Sequence, residues 1–180
     1  MKLHLGCGKR FLQGYTHVDL ADFEHIDYKI PVEDLSIFQD ETIDLIYASH
    51  VLEYFDREQV ESVLKEWRRV LKFGGKLRIA VPNFKNLIKV YETTGDIDKI
   101  LGPLYGKWSI SDDKSVYHKT VYDEKKLSDT LLSAGFKQVN FWDWQEVFKD
   151  LDFDDHSQAY YPHMDKRSGI HVSLNLECLK

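Results

Sequence analysis

The sequence predicts an α/β fold: a mostly parallel sheet of seven strands, closed at its C-terminal end by an antiparallel strand. Three observations lead there. The chain opens on Leu3-His4-Leu5, an apolar strand running directly into Gly6-Cys7-Gly8. Ile43-Asp44-Leu45-Ile46-Tyr47-Ala48 and Leu77-Arg78-Ile79-Ala80-Val81 are mostly apolar, as central parallel strands covered on both faces are. Between them Val60, Val63, Leu64, Trp67, Val70 and Leu71 recur at three- and four-residue spacing, which makes one buried helical stripe.

Taken in order, strands are expected near 2–5, 15–19, 26–31, 43–48, 76–81, 137–144 and 170–179. The main helix spans about 57–72, with Asp56 as its cap, Gln59 at the reciprocal capping position and Gly74 past its end. Residues 83–121 read as two short helices plus a mobile loop, a lid inserted into the domain. A second helix near 124–134 has Asp123 as cap and Gly135 as stop. Val172, Leu174, Leu176 and Cys178 alternate with polar neighbours, so the last strand is half-buried. It pairs antiparallel with its predecessor around an excursion at about 145–169. Only Lys9 to Gly14 separate the first two strands, and the step from Asp19 to Tyr28 is also short. Neither gap holds a crossover helix, so one sheet face is thinly covered beside strands one to three. Exposed apolar surface costs roughly 25 cal/mol per Å². Phe148, Phe153, Tyr160 and Tyr161 of the excursion are one expected shield, and a second copy of the chain, in a homodimer, is the other.

Length fits one domain, residues 1–180, with a single core. The net charge of −6 gives no electrostatic reason to expect nucleic acid or an anionic membrane. Two cysteines without framework spacing, Cys7 and Cys178, suggest reduced thiols. With no apolar run of membrane-spanning length and no room for a signal peptide before the first strand, the expectation is a cytoplasmic protein.

The opening corner carries the functional signal. Gly6 and Gly8 let backbone approach a ligand closely, and Asp19 ends the next strand eleven positions past Gly8. Glycines after one parallel strand and a carboxylate after its neighbour form a nucleoside-binding corner, the carboxylate accepting from a ribose diol. A dinucleotide fingerprint needs a third glycine opening a helix whose N-terminus holds pyrophosphate; here that position is Phe11 and no helix fits. The corner therefore suits a nucleoside cofactor without phosphate, of which S-adenosylmethionine is the commonest.

With these residues on the page, a resemblance emerges. LHLGCG…VDL, then Asp44 to Glu53, then Gly74-Gly75-Lys76-Leu77 and Pro82, resembles the class I S-adenosylmethionine-dependent methyltransferases. The compact branch associated with surface-polysaccharide and glycosyltransferase genes is the most similar. The likeness covers residues 1–82 well, extends to Ala134-Gly135-Phe136 and Ser173 to Glu177, and is loose over 83–121 and 145–169. It implies a Rossmann-like methyltransferase fold. It also implies cofactor contacts from Gly6, Cys7, Gly8, Asp19 and Leu20, adenine contacts from Asp34 and Leu35 after the third strand, and backbone carbonyls of Ala48, Ser49 and His50 holding the cofactor's amino group. Lys9 or Arg10 is placed to reach the methionine carboxylate.

Methyl transfer asks chiefly for in-line alignment, which contributes ~7–11 kcal/mol, and a base adds about 10²–10⁴-fold when the acceptor is a hydroxyl. His118, at the return from the 83–121 segment, is the expected base. Phe84, Tyr91, Tyr105, Trp108 and Tyr117 of that segment suit stacking on a sugar. Asp154-Asp155-His156 with His163 and Asp165 matches no familiar ligand spacing, so no metal is expected. The expected activity is methylation, on oxygen, of a small molecule or glycan intermediate; a non-catalytic cofactor-binding module on the same fold is the alternative.

Overall fold

The structure, a computed structural model, describes residues 1–111 and 113–180. In chain order the elements are β1 (Lys2–Leu5), β2 (Thr16–Val18), β3 (Ile43–Ser49), α1 (Val60–Val70), β4 (Leu71–Pro82), α2 (Phe84–Thr94) and α3 (Asp98–Tyr105). The hairpin β5 (Lys107–Ser111) and β6 (Lys114–Tyr117) follows, then α4 (Glu124–Ser133), β7 (Lys137–Phe141) and the single turn α5 (Trp144–Val147). The short pair β8 (Tyr160–Tyr161) and β9 (Ile170–His171) leads into β10 (Ser173–Leu179). The main sheet has the order β2-β1-β3-β4-β10-β7, with β1 to β4 mutually parallel and β10 antiparallel to both its neighbours.

The main sheet thus has six strands where seven were expected. The segment 26–31 contributes one bridge only, Tyr28 to Val18. Both Asp27 and Tyr28 donate their N–H to the His17 carbonyl, which curls the chain instead of extending it, and Pro31 has no N–H to offer a ladder. The main helix is also shorter than its apolar stripe. Asp56 Oδ1 accepts from Glu58 N at 2.9 Å and Gln59 N at 3.1 Å, so residues 56–59 form a turn ahead of α1 and Gln59 makes no reciprocal cap. For α4 the expected cap is present: Asp123 Oδ1 accepts from Lys126 N at 2.7 Å.

Two faces of the sheet are buried by different parts of the chain. On the first, Leu3, Leu5, Ile46, Leu77, Ile79, Leu174 and Leu176 meet the Val63, Leu64, Trp67 and Val70 stripe of α1 and Leu127 and Leu131 of α4. Each such side chain contributes about 1.5–3 kcal/mol on burial. On the second, Tyr47 and Ala80 are covered by Trp142 and Phe148, with Phe153 packed alongside. The C-terminal excursion is therefore the shield. Tyr161 joins a third cluster instead, with Leu87, Val90 and Ile100 of the lid helices, while Tyr160 stacks on His171. The rest of the lid is the β5–β6 hairpin rather than a loop.

Candidate cofactor and acceptor cleft

A cleft of about 460 Å³ opens at the C-terminal ends of β1, β2 and β3, where parallel α/β sheets bind their ligands. Its floor is the glycine turn. Gly6 has φ +60°, and a Cβ there would sit 2.4 Å from Cγ2 of Val51, so no other residue fits. Over this floor lies the hairpin: a Cβ on Gly8 would meet the Trp108 ring at 3.2 Å, and Trp108, Ile110 and Val116 line the roof.

Asp19 is buried and lines the cleft. Its Oδ2 accepts from Gly8 N at 2.8 Å and its Oδ1 from Ala21 N at 2.7 Å. The side chain staples the turn after β1 to the turn after β2. An ionised carboxylate offers about four acceptor positions, so after these two bonds Asp19 retains capacity for a diol.

The cleft gathers Gly6, Cys7, Gly8, Asp19, Leu20, Ser49 and His50, together with Lys9 and Arg10. Ser49 fits a cofactor's polar group, since its buried Oγ has no hydrogen-bond partner among the described residues. Burial, seconded by Asp19, pushes the Cys7 thiol up to about 12, which makes it an inert wall. Three expected contacts lie elsewhere. Ala48 is wholly buried in the core beneath the floor. The chain turns at Pro31–Asp34, which sends Leu35 into the core against α1 and leaves Asp34 exposed, accepting from Ser36 N. Val32 and Glu33 line the cleft in their place, and Trp67 Nε1 of α1 donates to the Val32 carbonyl at 2.8 Å. Expecting Asp34 and Leu35 overshot the wall by two residues.

The expected base is also displaced. His118 does not line the cleft: Nδ1 lies 2.8 Å from the Pro103 carbonyl inside α3, and Nε2 faces Glu53 Oε1 at 3.8 Å. Its ring meets Tyr54 edge to face at 4.6 Å. It ties the lid to the segment after β3. Of the five lid aromatics, Trp108 alone lines the cleft, and Tyr91, Tyr105 and Tyr117 are exposed.

The titratable wall of the cleft is His50, Lys119, Asp155 and His156. His50 ends β3 in the left-handed region, φ +56°, a conformation that non-glycine residues hold only where surroundings impose it. Its ring stands 5.3 Å from that of His156. His156 is an exposed residue at the cleft wall; partial desolvation of its ring there, helped by His50, moves its pKa down, which favours the neutral imidazole near pH 7. Asp155 holds the backbone beneath: Oδ2 accepts from the Tyr47 hydroxyl at 2.5 Å and Oδ1 from Ser157 N at 2.9 Å. His156 was visible in sequence only as part of a rejected metal pattern; among the described residues no group of three or more His, Cys, Asp or Glu could hold a metal ion. No helix among them is long and apolar enough to cross a membrane.

Comparison with known proteins agrees with this geometry. Residues 3–79 match the family model described as a methyltransferase domain. No curated protein matches. Among solved structures, a Thermotoga maritima S-adenosylmethionine-dependent methyltransferase, a possible histamine N-methyltransferase, is similar with a TM-score of 0.60 at 18% identity, over 99% of this chain and 81% of the other. An Archaeoglobus fulgidus S-adenosylmethionine-dependent methyltransferase gives 0.58 at 16%, over 99% and 85%. The 1,6-didemethyltoxoflavin-N1-methyltransferase of Burkholderia thailandensis, solved with its substrate and S-adenosylhomocysteine, gives 0.56 at 15%, over 99% and 70%. Residues 3–79 thus match a methyltransferase domain, and over 99% of its length the chain has the fold of these S-adenosylmethionine-dependent methyltransferases.

Proposed function

We propose that this protein methylates a hydroxyl of a small acceptor, a glycan intermediate included, with His156 taking the proton. The observation that supports this reading is a neutral imidazole on the wall of the same cleft as the glycine turn. When bound, S-adenosylmethionine supplies an electrophilic methyl carbon on its sulfonium. Asp19 would hold the ribose diol, Val32 and Leu20 would border the adenine, and Ser49 would face the amino acid end. The hairpin roof of Trp108, Ile110 and Val116 keeps water from the reacting centre. Lys9, Arg10 and Lys119 supply positive charge at the cleft for the cofactor's carboxylate or an anionic acceptor.

A base on a hydroxyl acceptor contributes about 10²–10⁴-fold. His156 accepts a proton only when neutral, and its lowered pKa keeps it so down to more acid pH than a free histidine. Once an acceptor is found by a screen that reads S-adenosylhomocysteine release, His156→Gln is expected to slow turnover by that factor. Calorimetric affinity for S-adenosylhomocysteine should stay unchanged. Unaltered turnover removes His156 as base. Cofactor binding without methylation of any acceptor in the screen would favour a non-catalytic binding module.

A further inference from the structure

Glu53 is fully buried, and among the described residues neither of its carboxylate oxygens has a hydrogen-bond partner. Two histidines face it: His50 Nδ1 at 3.2 Å from Oε1 and His118 Nε2 at 3.8 Å. The bonds at the far side of each ring decide what they present. Asn175 Nδ2 donates to the Ser157 carbonyl at 2.9 Å, so Asn175 Oδ1 is the atom that accepts the Ser173 hydroxyl at 2.8 Å. That spends the only hydroxyl proton of Ser173. Its Oγ, 3.1 Å from His50 Nε2, must then accept from an Nε2–H. His118 Nδ1 lies against a carbonyl, so it too is a donor. With both rings neutral, the nitrogens nearest Glu53 would carry no proton to offer its carboxylate, in a buried place where unpaired acceptors are costly.

We infer that Glu53 is a positioning residue that holds a proton on His50, making it an imidazolium whose charge keeps the neighbouring His156 unprotonated. A proton between a carboxylate and an imidazole resides on the imidazole, the stronger base by about two units, and His50 is the nearer ring. The main chain of the same residue anchors the lid: Lys119 N and Thr120 N both donate to the Glu53 backbone carbonyl, at 2.7 and 3.2 Å, and His118 reaches Pro103 of α3. Other groups stand around the pair. His171 packs on the β10 side, its ring held at Nε2 by the Ser157 carbonyl and its pKa lowered by burial. Arg10 and Asp155 flank His156 with opposite signs, and the phenols of Tyr54 and Tyr122 lie near Glu53 with pKa values raised by burial, so they stay uncharged.

The role of Glu53 extends the reading of His156 as base, and ring titration separates the two. Long-range nitrogen–proton NMR of the histidine rings in the full chain at pH 7 should show His50 protonated at both nitrogens. In Glu53→Gln it should retain Nε2–H alone. The His156 ring should titrate higher in His50→Gln, by about half a pH unit for loss of one charge ~5 Å away under water-like screening. Glu53→Gln should move it the same way by less, because a negative charge leaves with the positive one. A neutral His50 ring in the unaltered protein overturns the inference. So does a His156 titration that His50→Gln leaves in place, a test that stands if Glu53→Gln does not fold. If His156 shifts as expected while the acid limb of turnover does not follow, Glu53 acts as inferred and His156 is not the base.

Discussion

Asp19 links the fold to the chemistry, and replacing it by asparagine tests both. The carboxylate accepts one backbone N–H on each oxygen, Gly8 at 2.8 Å and Ala21 at 2.7 Å, in a site buried from solvent. Asparagine keeps one acceptor oxygen and sets an amide N–H₂ against the other donor. One buried N–H then loses its partner, which costs about 1–3 kcal/mol, with the upper half favoured because the lost bond is to a charged acceptor. For a chain of this size that is about 2–4 °C in Tm per kcal/mol. Alanine would orphan both N–H groups at about 2–6 kcal/mol, comparable to the whole stability of many domains, so a binding loss in Asp19→Ala would not separate ribose contact from unfolding. Urea denaturation of Asp19→Asn, with and without saturating S-adenosylhomocysteine, separates them. The expected result is a lower midpoint without ligand and a smaller ligand-induced rise than in the unaltered protein. An unchanged midpoint would refute the stapling role. An unchanged rise would refute the contact with the diol.

Gly6→Ala places a methyl 2.4 Å from Val51 Cγ2 at φ +60°, and the backbone part alone costs roughly 1–2 kcal/mol. Thermal melts should show a large drop, and Gly6→Ala with Val51→Ala should lose less than the sum of the single changes; strict additivity would mean that Val51 is not what excludes the methyl. His4 is buried, and that burial, with His17 and His25 nearby, lowers its pKa from 6.5 to about 3. The unfolded chain takes up that proton below pH 6.5 while the folded chain does not, so stability falls as pH falls. The loss is about 2 kcal/mol between pH 7 and 5. Chemical denaturation of His4→Gln should show a loss smaller by about that amount over the same interval, and an equal loss in both proteins would count against a neutral His4.

What could be read in the sequence was periodic or local. The α1 stripe, the α4 cap and the apolar strands fix the sheet because each signal depends on neighbours within one or two turns. The glycine–Asp19 spacing was legible for the same reason: two adjacent parallel strands bring their ends together whatever else the chain does. Failures came where a direction or a turn decides. Nothing in Ser115 to Thr120 says that the His118 ring turns toward Pro103 and Glu53 rather than the cleft. The strand expected at 26–31 has the right residues, yet His17's carbonyl captures two of its N–H groups and curls it. His156 comes from a loop more than a hundred residues from Gly8, and long-range packing of Phe148 and Phe153 on Tyr47, with the Tyr47–Asp155 hydrogen bond, carries that loop to the cleft.

That β10 lies inside the sheet has an outcome for biosynthesis. The residues proposed for the cofactor stand within the first third of the chain, but the ladder between β4 and β7 has a gap until residues 173–179 emerge from the ribosome. A nascent chain long enough to contain every proposed adenosine contact still exposes the flank of β4. If the proposed binding mode holds, the capacity to retain S-adenosylmethionine would arise in a single step, when residues 173–179 insert, rather than growing with chain length.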